Sequence, residues 1–95
     1  MKQRPFWFNV EGAILRRTNL SEVTLESANL ARADCTGAIF RNSNFKDANL
    51  DGTILIGADL TGAENLTIDQ LKNAIIDETT ILPSYLALEQ IKSAA

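Results

Sequence analysis

Residues 28–60 read ANLARADCTGAIFRNSNFKDANLDGTILIGADL, and this stretch decides the fold because its large apolar residues recur every five positions. The same five-residue register runs from residue 13 to residue 62, where nine of ten repeated positions hold Leu or Phe and one holds Cys35. We call these positions centres; they are Leu15, Leu20, Leu25, Leu30, Cys35, Phe40, Phe45, Leu50, Leu55 and Leu60.

The neighbours of the centres follow the same period. A small or β-branched residue stands two positions before each centre, and all five glycines stand two positions after a centre or its equivalent. An α-helix turns ~100° per residue, so a five-residue period would scatter the centres around its surface. In a flat strand an odd period sends alternate centres to opposite faces. We therefore expect a chain that turns a corner in every repeat and directs its centres to a shared interior, with glycine accepting the backbone angles of the corner.

This pattern resembles the pentapeptide-repeat proteins, whose consensus is A(D/N)LXX. The match is literal at residues 28–30, 48–50 and 58–60, looser at 33–35 and 43–45, and covers roughly residues 8–63. The resemblance implies an all-β fold, a right-handed quadrilateral β-helix with four repeats per coil, here between two and three coils. Residues twenty apart would then stack. We expect Glu26 to pair with Lys46, and an amide ladder to join Asn9, Asn29 and Asn49.

We expect one domain, with an N-terminal cap over residues 1–12, the β-helix over 13–63 and a short helical C-terminal cap and tail over 64–95. The aromatic run Pro5-Phe6-Trp7-Phe8 predicts a plug on the first coil. Thr67 and Gln70 have the spacing of a capping box, which predicts a short helix through about Ala74.

The five-residue pattern is expected to resume briefly after that helix. Two pairs keep the offset between a small residue and a centre, namely Ala74 with Ile76 and Thr79 with Ile81. Pro83 fits the first turn of a last helix. That helix would carry Tyr85, Leu86, Leu88 and Ile91, and residues 92–95 would fray.

Composition argues against an enzyme. The chain has no His and one Cys, which removes the commonest general base and any internal disulfide. Cys35 lies on the inward register, so we interpret it as a small buried hydrophobe and not as a reactive thiol. Asp77 and Glu78 are adjacent acids without a partner acid or His, and we interpret them as solvated. We predict no catalytic residue, no cofactor and no metal site.

The charge pattern argues against direct nucleic-acid binding. The formal net charge is −3, and the acidity is concentrated in residues 63–95. Basic residues of the repeat are interleaved with carboxylates and form no basic stripe; they are Arg16, Arg17, Arg32, Arg41 and Lys46. No apolar run approaches ~20 residues and no signal-peptide core is visible, so we expect no membrane contact and a cytoplasmic location. Whether the chain is a whole protein or a piece of a longer one stays open.

The exceptions among the outward positions suggest where a partner binds. Four isoleucines flank centres, where most residues are polar: Ile14, Ile39, Ile54 and Ile56. An exposed apolar patch of this kind marks interfaces. The alternative is that single apolar residues are ordinary on surfaces, or that the terminal segments fold over this wall.

Our leading hypothesis is a non-enzymatic protein-binding or scaffold module that uses a rigid surface of the β-helix. The family resemblance implies a second one, a DNA-mimic regulator that binds a type II topoisomerase such as DNA gyrase, although this repeat is short and near neutral. Homo-oligomerisation through the coil ends is compatible with both hypotheses, because an open coil end is an unpaired edge.

Overall fold

The computed structural model describes residues 8–94, with Ala94 described by its backbone alone. Parallel β-bridges join residues about twenty apart, and these bridges fall into four columns. The chain is therefore a stack of four-sided coils. We number the faces by their bridging residues: face 1 has Asn9, Asn29 and Asn49; face 2 has Ile14, Asp34, Ile54 and Ile75; face 3 has Asn19, Ile39, Asp59 and Ile81; face 4 has Thr24, Asn44 and Glu64.

The centres fill the interior of this stack, which confirms the predicted inward register. Every centre from Leu25 to Leu60 is buried, whereas Leu15 and Leu20 in the first coil are only partly buried. Phe40 and Phe45 meet edge to face, with ring centroids 5.2 Å apart and planes at 64°. Of the predicted aromatic plug at residues 5–8, Phe8 is partly buried and packs against the core, and residues 5–7 lie outside the described residues.

Each corner is a tight turn that begins at a centre. The carbonyl of Leu25, for example, accepts the N–H of Ala28 at 3.0 Å. The residue two positions after the centre has a positive φ, as a type II turn requires at its third residue. At Gly52 the absence of a side chain also avoids a close contact, because a Cβ at that position would lie 3.2 Å from Cγ of Arg32 in the preceding coil. Positive φ also occurs at non-glycine corners: Arg17, Glu22, Ser27, Arg32, Asn42 and Asp47.

Asn and Asp residues that precede a centre bond their own backbone. Oδ1 of Asn29 accepts the N–H of Ala31 at 3.0 Å, and Oδ1 of Asn49 accepts the N–H of Asp51 in the same way. These local bonds stabilise the corners. The amide nitrogen of Asn29 donates to Oε1 of Glu11 at 3.3 Å and not to another Asn, so the predicted amide ladder is wrong. The predicted Glu26–Lys46 pair is also wrong, since no ion pair joins them in the described part of the chain.

Helix α1 spans Ile68–Lys72 and replaces face 1 in the last coil. The predicted capping box is confirmed: the N–H of Gln70 donates to Oγ1 of Thr67 at 3.1 Å, and Oε1 of Gln70 accepts the N–H of Thr67 at 2.9 Å. The amide of Gln70 also donates to the carbonyls of Phe45 and Ala48, at 2.8 and 3.0 Å. The cap therefore joins α1 to the coil beneath it.

The coil resumes after α1 and adds a fourth level to faces 2 and 3. Ala74 and Ile76 are partly buried against the core, in agreement with their predicted offset, and Ile75 between them bridges Ile54. The prediction for Thr79 and Ile81 is wrong by one residue. The corner there holds one residue more than the others. Thr80 takes the inner position and donates its hydroxyl to the carbonyl of Leu55 at 2.9 Å, so Ile81 faces outward.

Helix α2 spans Leu88–Ala94, so it begins later than the predicted start near Pro83. The hydroxyl of Tyr85 donates to the carbonyl of Ala63 at 2.6 Å and accepts the N–H of Leu66 at 3.2 Å, which ties the segment before α2 to the end of the coil. Residues 92–94, where we expect fraying, form the last turn of α2. Helices α1 and α2 contact each other and bury Leu71 and Ile91. Within residues 8–94, neither helix is long and apolar enough to cross a membrane.

Candidate interaction surface

Five isoleucines lie on two adjoining faces near the C-terminal half of the stack. We call this set the isoleucine ridge; it consists of Ile39, Ile54, Ile56, Ile75 and Ile81. Ile54 and Ile75 bridge each other on face 2, whereas Ile39 and Ile81 lie on face 3 with Asp59 between them. Ile56 follows the centre Leu55 and lies at the corner between the two faces. The ridge therefore wraps one edge of the four-sided stack.

The ridge is more exposed at its C-terminal end. Ile75 and Ile81 keep 48% and 50% of their surface exposed, whereas Ile39, Ile54 and Ile56 are half-buried. Sequence reasoning placed Ile76 and Ile81 inside, and it missed Ile75 and Ile81 as surface residues. The available signal was the outward position of Ile54, which the next coil repeats at Ile75.

The fourth predicted contact residue, Ile14, lies apart from the ridge. Its side chain is 79% exposed on face 2, in the same column as Ile54. Asp34 occupies the position between them, and its carboxylate pairs with Nε of Arg16 at 2.7 Å. A charged pair thus separates Ile14 from the apolar surface.

Two matching ion pairs lie beside the ridge. Nε of Arg41 donates to Asp59 at 2.7 Å, as Arg16 does to Asp34 on the neighbouring face. Thr36 and Thr61 add hydroxyl and backbone hydrogen bonds to these two carboxylates. In Asp34 the bonds from Thr36 and Arg16 lower the pKa. In Asp59 burial acts to raise the pKa, but the bonds from Thr61 and Arg41 outweigh it and the pKa is lowered.

The other sequence candidates have structural roles. Hydrogen bonds from the side chain and the backbone of Thr79 lower the pKa of Asp77, so this carboxylate stabilises a corner. Cys35 is fully buried, and burial together with the charge of Asp34 raises its pKa to about 11. The described residues contain no group of His, Cys, Asp and Glu that could hold a metal ion.

A shallow open groove lies between α1 and the corner after face 4. Lys46, Asp47, Asn65, Thr67 and Gln70 line it. Gln70 already donates its amide to two carbonyls of the coil, and Asn65 donates to Oδ1 of Asn44 at 2.8 Å. These polar groups serve the cap, so the isoleucine ridge is the stronger candidate for an interaction surface.

The known proteins that this chain resembles carry the same five-residue repeat. The family described as pentapeptide repeats matches residues 9–34 and 28–64, in eight copies. Rfr23, a pentapeptide repeat protein of the cyanobacterium Cyanothece 51142, is 42% identical with a TM-score of 0.70, over 78% of this chain and 50% of its own. HetL, a pentapeptide repeat protein involved in heterocyst differentiation regulation in the cyanobacterium Nostoc sp. strain PCC 7120, is 30% identical with a TM-score of 0.58, over 77% of this chain and 36% of its own. No curated protein matches the chain. The chain thus spans half the length of Rfr23, or less in the case of HetL.

Proposed function

Because the chain belongs to the pentapeptide-repeat family, we propose that it is a non-enzymatic protein-binding or scaffold module whose isoleucine ridge contacts another protein. The coil is right-handed in this proposal, as the family implies, and the two C-terminal helices act as its cap. The observation that carries the proposal is the group of five isoleucines on two adjoining faces, of which Ile54 and Ile75 bridge each other directly.

A ridge of this kind differs from scattered surface residues. Single exposed apolar side chains are ordinary on soluble proteins and need no partner. Here the β-bridges fix Ile54 beside Ile75, and the backbone that carries them is hydrogen bonded to the coils on one or both sides. Because this surface is already ordered, the chain loses little conformational entropy when a partner binds to it.

One relative with a stated role is compatible with this proposal. HetL is involved in the regulation of heterocyst differentiation, and it is 30% identical to this chain over 77% of its residues. Regulation by a repeat protein without catalytic groups is expected to work through binding. The isoleucine ridge supplies a surface for that binding here.

The DNA-mimic alternative finds less support. A mimic of DNA has to present unpaired carboxylates along the stack, so that they meet a basic groove. On faces 2 and 3 the carboxylates of Asp34 and Asp59 are paired with Arg16 and Arg41. A supercoiling assay with DNA gyrase separates the two functions, and our proposal predicts no inhibition at micromolar protein.

The ridge can be tested by comparing two variants of equal charge. Ile56→Glu with Ile75→Glu places two carboxylates on the ridge, and we expect partner recovery from a native lysate to fall at least tenfold. Thr24→Glu with Lys46→Gln changes the net charge equally on the opposite side of the stack, at exposed positions. This control is expected to recover partners as the wild type does.

The outcomes are distinguishable because both variants can be checked for folding first. Circular dichroism and a thermal melt should show that each retains the fold. If folded ridge and control variants recover the same proteins in the same amounts, the ridge is not the binding surface. Inhibition of gyrase by the wild type and by both variants would support the DNA-mimic function instead.

A further inference from the structure

Face 2 presents an exposed isoleucine at each end of its column. Ile14, in the first coil, and Ile75, in the fourth, are 79% and 48% exposed. Between them lie Asp34 and Ile54, which are both half-buried. The carboxylate of Asp34 is paired with Arg16, so its charge is already neutralised within the chain. Face 2 therefore has two apolar ends and a middle without a free charge.

The two corners that border face 2 carry exposed charges in a matching order. On the corner shared with face 3, Arg17 belongs to the first coil and Glu78 to the fourth. On the corner shared with face 1, Arg32 belongs to the second coil and Asp51 to the third. Within residues 8–94, Arg17, Asp51 and Glu78 form no ion pair. Arg32 pairs with Glu11 and keeps 66% of its side chain exposed. On both corners, the basic residue thus lies nearer the first coil and the acidic residue nearer the last.

We propose that face 2 binds the same face of a second copy of this chain, with the two stacks antiparallel. The two-fold axis lies between the two faces, runs parallel to their strands, and passes between the second and third coils. The first coil then faces the partner's fourth coil, and the second faces the partner's third. Ile14 packs against the partner's Ile75, and Asp34 lies opposite the partner's Ile54. Two stacked faces of this kind are separated by about 10 Å.

The same axis brings opposite charges together on both corners. Each corner faces the same corner of the partner, with the order of the coils reversed. Arg17 therefore meets the partner's Glu78 at the ends of the contact, and Arg32 meets the partner's Asp51 near its centre. Because the contact is isologous, each pair occurs twice. A two-fold axis parallel to the stack would instead place Asp34 opposite the partner's Asp34, and such like-charge contacts oppose association.

The two copies do not overlap in this arrangement. Face 2 is an outer wall of the stack, and each copy lies entirely behind its own wall. Phe8, the first described residue, lies next to the corner between faces 4 and 1, which does not border face 2. One face of four coils, roughly 20 Å tall by strand spacing, is smaller than the ~800 Å² per partner of a standard interface. We therefore expect a weak dimer, with a dissociation constant of tens to hundreds of micromolar.

This contact goes beyond the binding of another protein by the isoleucine ridge. Ile54 and Ile75 belong to both surfaces, whereas Ile39 and Ile81 stay free on face 3 in the dimer. A partner that covers the whole ridge and a second copy on face 2 therefore exclude each other. Ile14 and the charges of Arg17 and Glu78 belong to the dimer contact alone, so they can be changed without altering the ridge.

The test is the mass of the full chain in solution, measured by sedimentation equilibrium from micromolar to several hundred micromolar protein. We expect a reversible dimer for the wild type. Arg17→Glu and Glu78→Arg each place like charges at both ends of the contact, and each should weaken the dimer by roughly tenfold. Arg17→Glu combined with Glu78→Arg restores opposite pairs and should restore the wild-type dissociation constant. Ile14→Ser removes apolar contacts at both ends and should also weaken the dimer by roughly tenfold.

A control variant separates these effects from a general effect of charge. Glu22→Arg changes the net charge as Glu78→Arg does, at an exposed position on the corner between faces 3 and 4, and should leave the dimer unchanged. A wild type that stays monomeric at several hundred micromolar overturns the proposal, as does a dimer that Ile14→Ser and both single charge exchanges leave intact. A double variant that circular dichroism shows to be folded, but that stays monomeric, overturns the antiparallel arrangement. Partner recovery by the ridge is a separate measurement, so either proposal can fail while the other stands.

Discussion

Arg41 and Asp59 lie eighteen residues apart in the sequence and meet on face 3, where Nε of the arginine donates to Oδ2 of the aspartate at 2.7 Å. Arg16 and Asp34 form the same contact at the same separation on face 2. A side chain just after a centre therefore reaches the residue just before a centre in the next coil. The two side chains are thus eighteen residues apart in the sequence, whereas backbone bridges between these coils join residues twenty apart.

The contact between Arg41 and Asp59 predicts a loss of stability in acid. Because the pKa of Asp59 is lowered in the folded chain, its contribution is complete above the usual value of 3.8 and is lost as the pH falls through the lower, folded value. Asp59→Asn keeps the backbone bond to Thr61 but removes the charge, as Asn49 does naturally on face 1. We expect the variant to be less stable at neutral pH and the difference to shrink below about pH 4.

Urea unfolding at several pH values measures this difference in the free energy of unfolding. Asp51→Asn is the matched control, because Asp51 is exposed and forms no ion pair with another described residue. A constant difference between Asp59→Asn and the wild type from neutral to acid pH would contradict the assigned role of the charge.

Cys35 should react only after the chain unfolds. Its thiol is fully buried, and the raised pKa of about 11 leaves little thiolate at mildly alkaline pH. We expect an aromatic disulfide reagent to modify the native protein at a rate set by unfolding, and the urea-unfolded protein at the rate of a free thiol. Modification of native Cys35 as fast as that of a small thiol would show that the centre is accessible.

The five-residue pattern predicted the interior but not the surface. Phe40 and Cys35 could be placed in the interior from the sequence, because the five-residue period alone decides which residues face inward. The role of Asn29 was not predictable from the period, because the period does not decide the partners of its amide group: the oxygen accepts the N–H of Ala31 and the nitrogen donates to Glu11. The period could not show that charged side chains at this position pair eighteen residues on and not twenty, as Arg16 does with Asp34 and Arg41 with Asp59, so the expected pairing of Glu26 with Lys46 was wrong.

The C-terminal segment shows why a period fails once it is interrupted. The capping box at Thr67 was recognisable, since it depends on two residues three apart. The corner before Thr80 holds an extra residue, which a five-residue pattern cannot reveal, and the exposed Ile81 was therefore placed inside. In the segment before α2, the hydroxyl of Tyr85 reaches the carbonyl of Ala63, a contact distant in the sequence that the local pattern of residues 83–91 cannot reveal.

Thr53 lies two positions before the centre Leu55, and it tests how much a buried hydroxyl at that position contributes to the free energy of unfolding. Its Oγ1 is fully buried and donates to the carbonyl of Leu30 at 2.7 Å. Thr53→Val keeps the shape but leaves that carbonyl without this donor, and we expect a loss of about 1–2 kcal/mol in the free energy of unfolding. Thr18 occupies the same position in its repeat, is only half-buried and forms no side-chain hydrogen bond with another residue of the range 8–94. Thr18→Val should therefore change stability by less than about 0.5 kcal/mol, and equal losses in the two variants would contradict the role of the bond.

Two serines of the first coil test the strain stored at the corners. Ser27 has a φ of 60°, a conformation that is unfavourable for L-residues and open to glycine. Ser21 stands one position earlier in its own turn, where φ is not positive. We expect Ser27→Gly to raise the free energy of unfolding by roughly 0.5–1 kcal/mol, because relief of strain exceeds the entropy that glycine adds to the unfolded chain. Ser21→Gly should lower it by a similar amount, since only the entropy changes. Thermal melts of both variants give the comparison, and a loss of stability in Ser27→Gly as large as that in Ser21→Gly would show that the non-glycine corners hold no strain.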